Sequence, residues 1–278
     1  NSAVFFYKKL SELNETELDK FVNYIFYSTN IIKIECTNQS FAIKLFQVLN
    51  DRGLELSPSD IVKSYIIGKY EQDDETGKQI FNNNWKNIED LSKQYGFKID
   101  DFVVFYEYYK LKSNPKRQVV DELRDIIQRS DVYELVSELH SFSESLKKVY
   151  ESNNPVILSL RYIPWKFYVM TALTSAYQVN YPEKDKLFKE IRRFFYISLT
   201  AGCTLNQIKQ TSFKLIESIV NGNSIDEIKE DLNRTIISRR MYAKVYDALD
   251  NDVYNEKFLK PLMLSLEYEN RESTNNSF

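Results

Sequence analysis

The sequence predicts a mainly α-helical fold, an irregular multi-helix bundle with a minor β element near the N-terminus. Three observations favour this class. The 278 residues include only 6 glycines and 6 prolines, too few for the many tight turns of a β-sandwich or barrel. Apolar residues recur at helical spacing through most of the chain. The paired helices show no internal sequence repeat, which favours an irregular bundle over a solenoid.

The N-terminal segment is predicted to contain a helix, a strand and a second helix. Apolar residues recur every three or four positions over residues 15–27, and Asn14 and Glu17 have capping-box spacing at the start. Residues 31–36, Ile-Ile-Lys-Ile-Glu-Cys, have the β-branched, period-two pattern of a short strand. Residues 39–50 are predicted to be helical, and Gly53 can adopt the left-handed conformation that ends a helix.

The next helix has a sharp predicted start. Ser57 is the expected N-cap, Pro58 occupies the first helical position, and Asp60 occupies the third. Residues 71–78 form a polar, acidic stretch that we interpret as a loop and as the boundary between domains 1–70 and 71–278. Further helices are predicted over residues 83–95, 100–111, 117–129, 133–151, 164–179, 184–200, 205–220, 224–239, 242–249 and 257–268.

The composition is typical of a soluble globular chain, with 43% hydrophobic and 28% charged residues. The longest uncharged stretch, residues 167–182, is shorter than a membrane span and contains Gln178 and Asn180. Cys36 and Cys203 lie far apart and are interpreted as reduced, buried thiols, so we expect a cytoplasmic location without membrane association. Both ends are expected to continue into a longer protein.

The charge distribution bears on nucleic-acid binding. A net charge of -3 and a pI of about 5.5 argue against a uniformly basic DNA-binding domain but leave room for one basic face. Basic residues beside aromatic residues can contact phosphates while the rings stack on bases. The alternative is that such rings are core and the charges a solvated edge. The candidate DNA contacts are Arg161, Lys166, Arg192, Arg193, Arg239 and Arg240.

Catalytic motifs are missing from the chain. The one histidine, His140, lies in a predicted helix without neighbouring ligands, so neither a metal site nor a catalytic triad can be assembled. No glycine-rich phosphate-binding loop is present. We therefore expect no cofactor, no metal and no independent catalysis in this chain.

The most informative segment joins the predicted helix over residues 39–50 to the helix that begins after Ser57. The connection is a polar turn, Asn50-Asp51-Arg52-Gly53. Backbone N–H groups, an arginine and the positive end of the following helix could together hold an anion such as a phosphate. Alternatively, the turn only ends one helix, and Arg52 pairs with an aspartate to fix it.

The same segment resembles the hallmark pattern of the N-terminal domain of GmrSD-type, modification-dependent restriction enzymes. That pattern is A-x-x-x-F-x-x-L-N-D-R-G-x-x-L-S-x-x-D-x-x-K after a short strand. Eleven residues of this chain match it in register: Ala42, Phe46, Leu49, Asn50, Asp51, Arg52, Gly53, Leu56, Ser57, Asp60 and Lys63. The resemblance covers about the first quarter of the chain.

The resemblance implies that domain 1–70 is the C-terminal end of a ParB-like nucleotide-binding domain and that 71–278 is an all-helical connector. A His-Asn-His nuclease domain would follow, in a parent endonuclease that uses a nucleoside triphosphate and a divalent metal in antiviral defence. The site residues would bind the nucleotide or brace its pocket: Asn50, Asp51, Arg52, Gly53, Ser57, Asp60 and Lys63. Implied partners are the rest of the parent chain and DNA.

Two departures limit what this chain can do itself. The family's Asp-Gly-Gln-Gln-Arg motif is absent, and a single histidine cannot supply a His-Asn-His nuclease. The alternative hypothesis is a helical protein–protein interaction module with no nucleotide or DNA role. That hypothesis predicts protein partners and a patch of exposed aromatic residues.

Overall fold

The computed structural model describes residues 2–30, 33–35, 45 and 56–275. The chain forms two compact units, residues 1–53 and 54–278. Fourteen helices lie in the described residues: α1 Ser2–Ser11, α2 Glu15–Ser28, α3 Pro58–Ile67, α4 Glu75–Tyr95, α5 Ile99–Leu111, α6 Val119–Arg129, α7 Val132–Glu151, α8 Pro155–Leu160, α9 Lys166–Gln178, α10 Lys184–Thr200, α11 Leu205–Val220, α12 Ile225–Ser238, α13 Met241–Leu249 and α14 Leu259–Asn275. The predicted mainly α class is confirmed.

The first unit contains α1 and α2. The side chain of Asn14 accepts a hydrogen bond from the Glu17 backbone N–H at 3.0 Å, and Glu17 accepts one from the Asn14 N–H at 3.2 Å. The predicted capping box is therefore present. Lys33 to Glu35 belong to neither a helix nor a strand, and the rest of the predicted strand, residues 31–36, lies outside the described residues. The predicted helix over 39–50 also lies outside them, apart from Leu45.

The second unit is built around α9. This helix packs against α5, α7, α10 and α11. Its side chains are buried on every face, and Ala172, Leu173 and Ala176 are inaccessible to solvent. A helix that is apolar all round is stable in water only when neighbouring helices surround it. The longest uncharged stretch of the sequence therefore forms the central helix of the unit.

A second layer of contacts surrounds this centre. Helix α3 packs on α5 and α6, α8 packs on α10 and α14, and α10 packs on α12 and α13. Aromatic rings join α5 to α7, with Phe142 lying 5.5 Å from Tyr106 and 4.9 Å from Tyr109 between ring centroids. The tyrosine-rich α5 is thus largely a core helix. Among the described residues, none of the helices combines the length and apolarity needed to cross a membrane.

Most predicted helix boundaries agree with the structure to within a few residues, and those of α10 and α11 coincide with it. The largest difference is at α4, which begins at Glu75 instead of residue 83. The stretch 71–78 is therefore only partly a loop. Helices α1 and α8 were not predicted; α8 is a short helix with Asn154 as N-cap and Pro155 at its first position.

Candidate functional site

Four of the eleven residues that match the family pattern are described, and they lie at the start of α3: Leu56, Ser57, Asp60 and Lys63. The Ser57 hydroxyl accepts a hydrogen bond from the Asp60 N–H at 3.2 Å, and the Asp60 carboxylate accepts one from the Ser57 N–H at 3.3 Å. This reciprocal capping box satisfies backbone donors that no helical carbonyl can reach. Ser57 and Asp60 therefore hold the direction in which the chain enters α3.

Two contacts attach α3 to the helical unit. The Ser59 N–H donates to the Asp100 carboxylate at 2.9 Å, which joins α3 to α5. Lys63 donates to Glu89 of α4 at 3.4 Å, and its ammonium lies 5.8 Å from the centre of the Trp85 ring. Helix α3 thus lies in the same compact unit as the helices that follow it.

These contacts separate the seven candidate nucleotide-site residues into two groups. The side chains of Ser57, Asp60 and Lys63 make intramolecular contacts that suit the bracing alternative. The turn itself, Asn50, Asp51, Arg52 and Gly53, lies outside the described residues.

Two of the six candidate DNA contacts are occupied in joining helices. The Arg161 guanidinium donates to the carbonyls of Val149 and Tyr150 at 2.7 and 2.6 Å, near the end of α7. Burial lowers the pKa of Arg161, and nearby tyrosines oppose that effect. Lys166 pairs with the buried Asp101 carboxylate at 2.8 Å. Both side chains have clear structural roles.

Arg192 and Arg193 of α10 also have partners. Arg192 forms an ion pair with Glu269 of α14 at 2.5 Å. Arg193 forms an ion pair with Glu190 at 2.7 Å and donates to Asn233 of α12 at 2.8 Å. Both arginines therefore join α10 to neighbouring helices through fixed geometry.

Arg239 and Arg240 differ from the other four candidates. They lie at the exposed junction between α12 and α13, and within the described residues their side chains form no hydrogen bond or ion pair. Lys244, one turn into α13, is also exposed and forms no hydrogen bond or ion pair within the described residues. Asp247 lies one helical turn after Lys244, but the two side chains form no ion pair. Within the described residues, the start of α13 therefore presents three cations that form no hydrogen bond or ion pair.

A cavity of about 1080 Å³ adjoins this junction. The α8–α9 turn, the α10–α11 turn, α13 and the segment before α14 form its walls. The lining includes three lysines, two carboxylates, three aromatic side chains and a thiol: Lys244, Lys257, Lys260, Asp252, Glu256, Tyr162, Trp165, Phe258 and Cys203. We name it the α13 cavity. Sequence reasoning missed it because its residues come from four separate segments.

Cys203 is a buried free thiol in this cavity. Burial raises its pKa, and the positive charges of Lys244 and Arg239 only partly oppose that effect. The thiolate is the nucleophilic form of cysteine, so a raised pKa keeps Cys203 unreactive near neutral pH. The thiol contributes to the shape of the cavity. The charge of the cavity comes from the lysines that line it.

A smaller cavity of about 450 Å³ lies beside α11 and α12. Lys214 on its wall pairs with Asp231 at 2.9 Å, and Arg234 also pairs with Asp231. The charged residues of its wall balance to the same net charge as those of the α13 cavity, but Asp231 engages two of its three cations. Within the described residues, no group of three His, Cys, Asp or Glu side chains could hold a metal ion.

Comparison of the chain with family models, with curated proteins and with solved structures finds no match.

Proposed function

We propose that this chain is an internal helical part of a GmrSD-like, nucleotide-dependent DNA restriction protein, without the catalytic motifs of that protein. The observation that carries the proposal is the eleven-residue match that ends in Ser57, Asp60 and Lys63. Nucleotide hydrolysis and DNA cleavage would take place in other parts of the parent protein. This chain would connect those parts.

The contacts of α3 support a connecting role. Only three residues separate Gly53 of the polar turn from the N-cap Ser57. Helix α3 is in turn attached to α4 through Lys63 and to α5 through Asp100. A change at the turn on nucleotide binding would therefore act directly on a helix built into the helical unit. This gives a short physical route from a nucleotide to the connector.

The test uses the complete parent protein with Arg52→Ala. We expect weaker nucleotide binding and slower hydrolysis, because the guanidinium is the cation that the turn offers to a phosphate. Arg129→Ala is the matched control, since Arg129 is exposed on α6 and its side chain forms no hydrogen bond or ion pair within the described residues. A folded Arg52→Ala protein with unchanged hydrolysis would rule out a nucleotide role for the turn.

A second candidate function is a protein–protein interaction module, favoured by the exposed aromatic residues of the first unit. No residue of α2 is buried, and Phe26 and Tyr27 are 75% and 86% exposed. Under this function, a partner would bind without nucleotide or DNA, and replacing Phe26 and Tyr27 by Ser would abolish binding. A partner that binds only with nucleotide or DNA would favour the restriction protein instead.

A further inference from the structure

We infer that the α13 cavity and the adjoining start of α13 bind an unpaired segment of DNA. This inference rests on the proposed function and names the surface through which the connector would contact its nucleic acid. The cavity supplies aromatic walls and cations, and the α12–α13 junction extends the cations along the surface.

The charge of the surface suits a phosphate backbone. Three lysines and two carboxylates line the cavity, which leaves one net positive charge; Arg239 and Arg240 add two more at the junction, and Asp247, one turn after Lys244, removes one. Throughout the described residues, most other arginines are bound to carboxylates or backbone carbonyls, as Arg193 and Arg161 are. Cations without such partners keep their full charge for an external anion. An overall charge of -3 therefore coexists with one local basic face.

The aromatic residues suit unpaired bases. Trp165 packs against Phe195 with ring centroids 6.2 Å apart, while its side chain also lines the cavity. Tyr162 stacks on Tyr268 at 6.3 Å and is 41% exposed. Rings supported from behind and open to a cavity are stacking platforms for bases in single strands. In a duplex the base faces are already stacked on one another and cannot reach such rings.

The size of the cavity allows at least one nucleotide. A volume of about 1080 Å³ is slightly larger than small-ligand sites, which occupy about 300–1,000 Å³. A base seated against Trp165 or Tyr162 would place its phosphate near Lys244, which lines the same cavity.

The first measurement is binding of a fluorescent oligothymidylate to the 278-residue chain, followed by anisotropy at several salt concentrations. The triple variant Arg239→Ala, Arg240→Ala, Lys244→Ala should bind about tenfold or more weakly at low salt. The slope of log affinity against log salt concentration should become less negative by about two. Each lost phosphate contact removes about 0.7 from that slope for single strands. Within the described residues these exposed side chains form no hydrogen bond or ion pair, so the variant should retain its melting temperature.

The matched control removes three positive charges from elsewhere. The substitutions are Lys86→Ala, Lys148→Ala and Lys189→Ala, at exposed positions of α4, α7 and α10, and they give the same change in net charge. This control should bind as the original chain does. Equal weakening in both triple variants would overturn the inference, because attraction would then depend on total charge rather than on this surface.

The two tryptophans provide an independent readout. Trp85 is only 2% exposed in the core, so quenching of tryptophan fluorescence by the oligonucleotide would report on Trp165. Trp165→Phe should remove the quenching while binding by anisotropy persists. Binding without quenching, or equally tight binding of a duplex, would contradict an unpaired base in the cavity.

Failure of this inference differs from failure of the proposed function. If the parent protein hydrolyses nucleotide and cleaves DNA equally well with and without the Arg239, Arg240 and Lys244 substitutions, the restriction function stands and this surface is wrong. If the chain binds oligothymidylate through this surface but the parent neither hydrolyses nucleotide nor cleaves DNA, the surface stands and the restriction function fails.

Discussion

At the scale of single residues, Glu107 on α5 is the least ordinary side chain. It is 2% exposed, and its Oε1 atom has no hydrogen-bond partner in the described part of the chain. Burial raises the pKa of this carboxyl from 4.5 to about 7, and the nearby Glu122 carboxylate adds to the effect. Glu122 itself is held ionised by Arg117, which lowers its pKa. The core therefore favours a neutral Glu107, at a cost in stability that grows as the pH rises from the unfolded toward the folded pKa.

This environment predicts a pH-dependent stability. The folded protein holds the Glu107 proton up to about pH 7, whereas the unfolded chain releases it near pH 4.5. Stability is therefore lost as the pH rises through that window and stays low above it. Glu107→Gln should stabilise the protein by up to about 3 kcal/mol at pH 8 and have little effect at pH 4.5.

Urea denaturation of the variant at both pH values measures this difference. Glu144→Gln is the control, because Glu144 is exposed on α7. A Glu107→Gln protein that gains no stability between pH 4.5 and pH 8 relative to the original chain would show that the carboxyl is solvated.

At the scale of elements, the start of α4 shows how a cap and a glycine act together. The Asp74 side chain accepts a hydrogen bond from the Gly77 N–H at 2.8 Å and another from the Tyr133 hydroxyl at 2.7 Å. The Tyr133 hydrogen bond is the largest cause of the lowered pKa of Asp74. A Cβ atom at Gly77 would clash with the Asp74 carboxylate and lie 2.6 Å from the Tyr70 ring. The cap therefore requires a glycine in the first turn.

Gly77→Ala should destabilise the protein by about 1–3 kcal/mol. Loss of the cap costs about 1 kcal/mol, and displacement of the Tyr70 ring costs about 1–3 kcal/mol. The better helix propensity of alanine offsets only about 1 kcal/mol of this total. Thermal unfolding is the measurement, with Asn82→Ala on the exposed side of α4 as the control. Equal or higher stability of the Gly77→Ala protein would mean that Asp74 and Tyr70 move aside without loss.

At the scale of the whole second unit, stability depends on α9. Its neighbours α5, α7, α10 and α11 would lose a shared packing partner if its side chains were shortened. Leu173 is inaccessible to solvent at the middle of this helix. Since interiors are close-packed, shortening such a side chain leaves a cavity that the surroundings only partly fill.

Leu173→Ala should therefore lower the free energy of unfolding by about 2–5 kcal/mol. Leu266→Ala on α14 is the same substitution at a position that is 46% exposed, and it should cost much less. Chemical denaturation of the two variants compares them directly. Similar losses at both positions would show that α9 is not the centre of the folding unit.

Helix caps and apolar periodicity involve residues that are close in sequence. The predicted caps of α2 and α3 are present in the structure. Asn14 caps α2 and Ser57 caps α3 as expected, because a capping box involves residues only three positions apart. The sequence does not reveal the early start of α4 at Glu75. The residues of its first turn, including Gly77, are not apolar and so show no helical spacing of apolar residues. The strand at residues 31–36 and the turn at Asn50 to Gly53 remain predictions, since they fall wholly or largely outside the described residues.

By itself, the sequence determined the mainly helical class, most helix positions and the set of basic residues worth testing. Only the tertiary structure decided which of those residues are already engaged. Lys166 pairs with Asp101 across 65 positions of sequence, and Arg193 reaches Asn233 across 40. Arg239 and Arg240, which looked similar in sequence, lack such partners within the described residues. Helix formation depends on neighbours within about four residues, whereas charge pairing depends on which distant helices pack together.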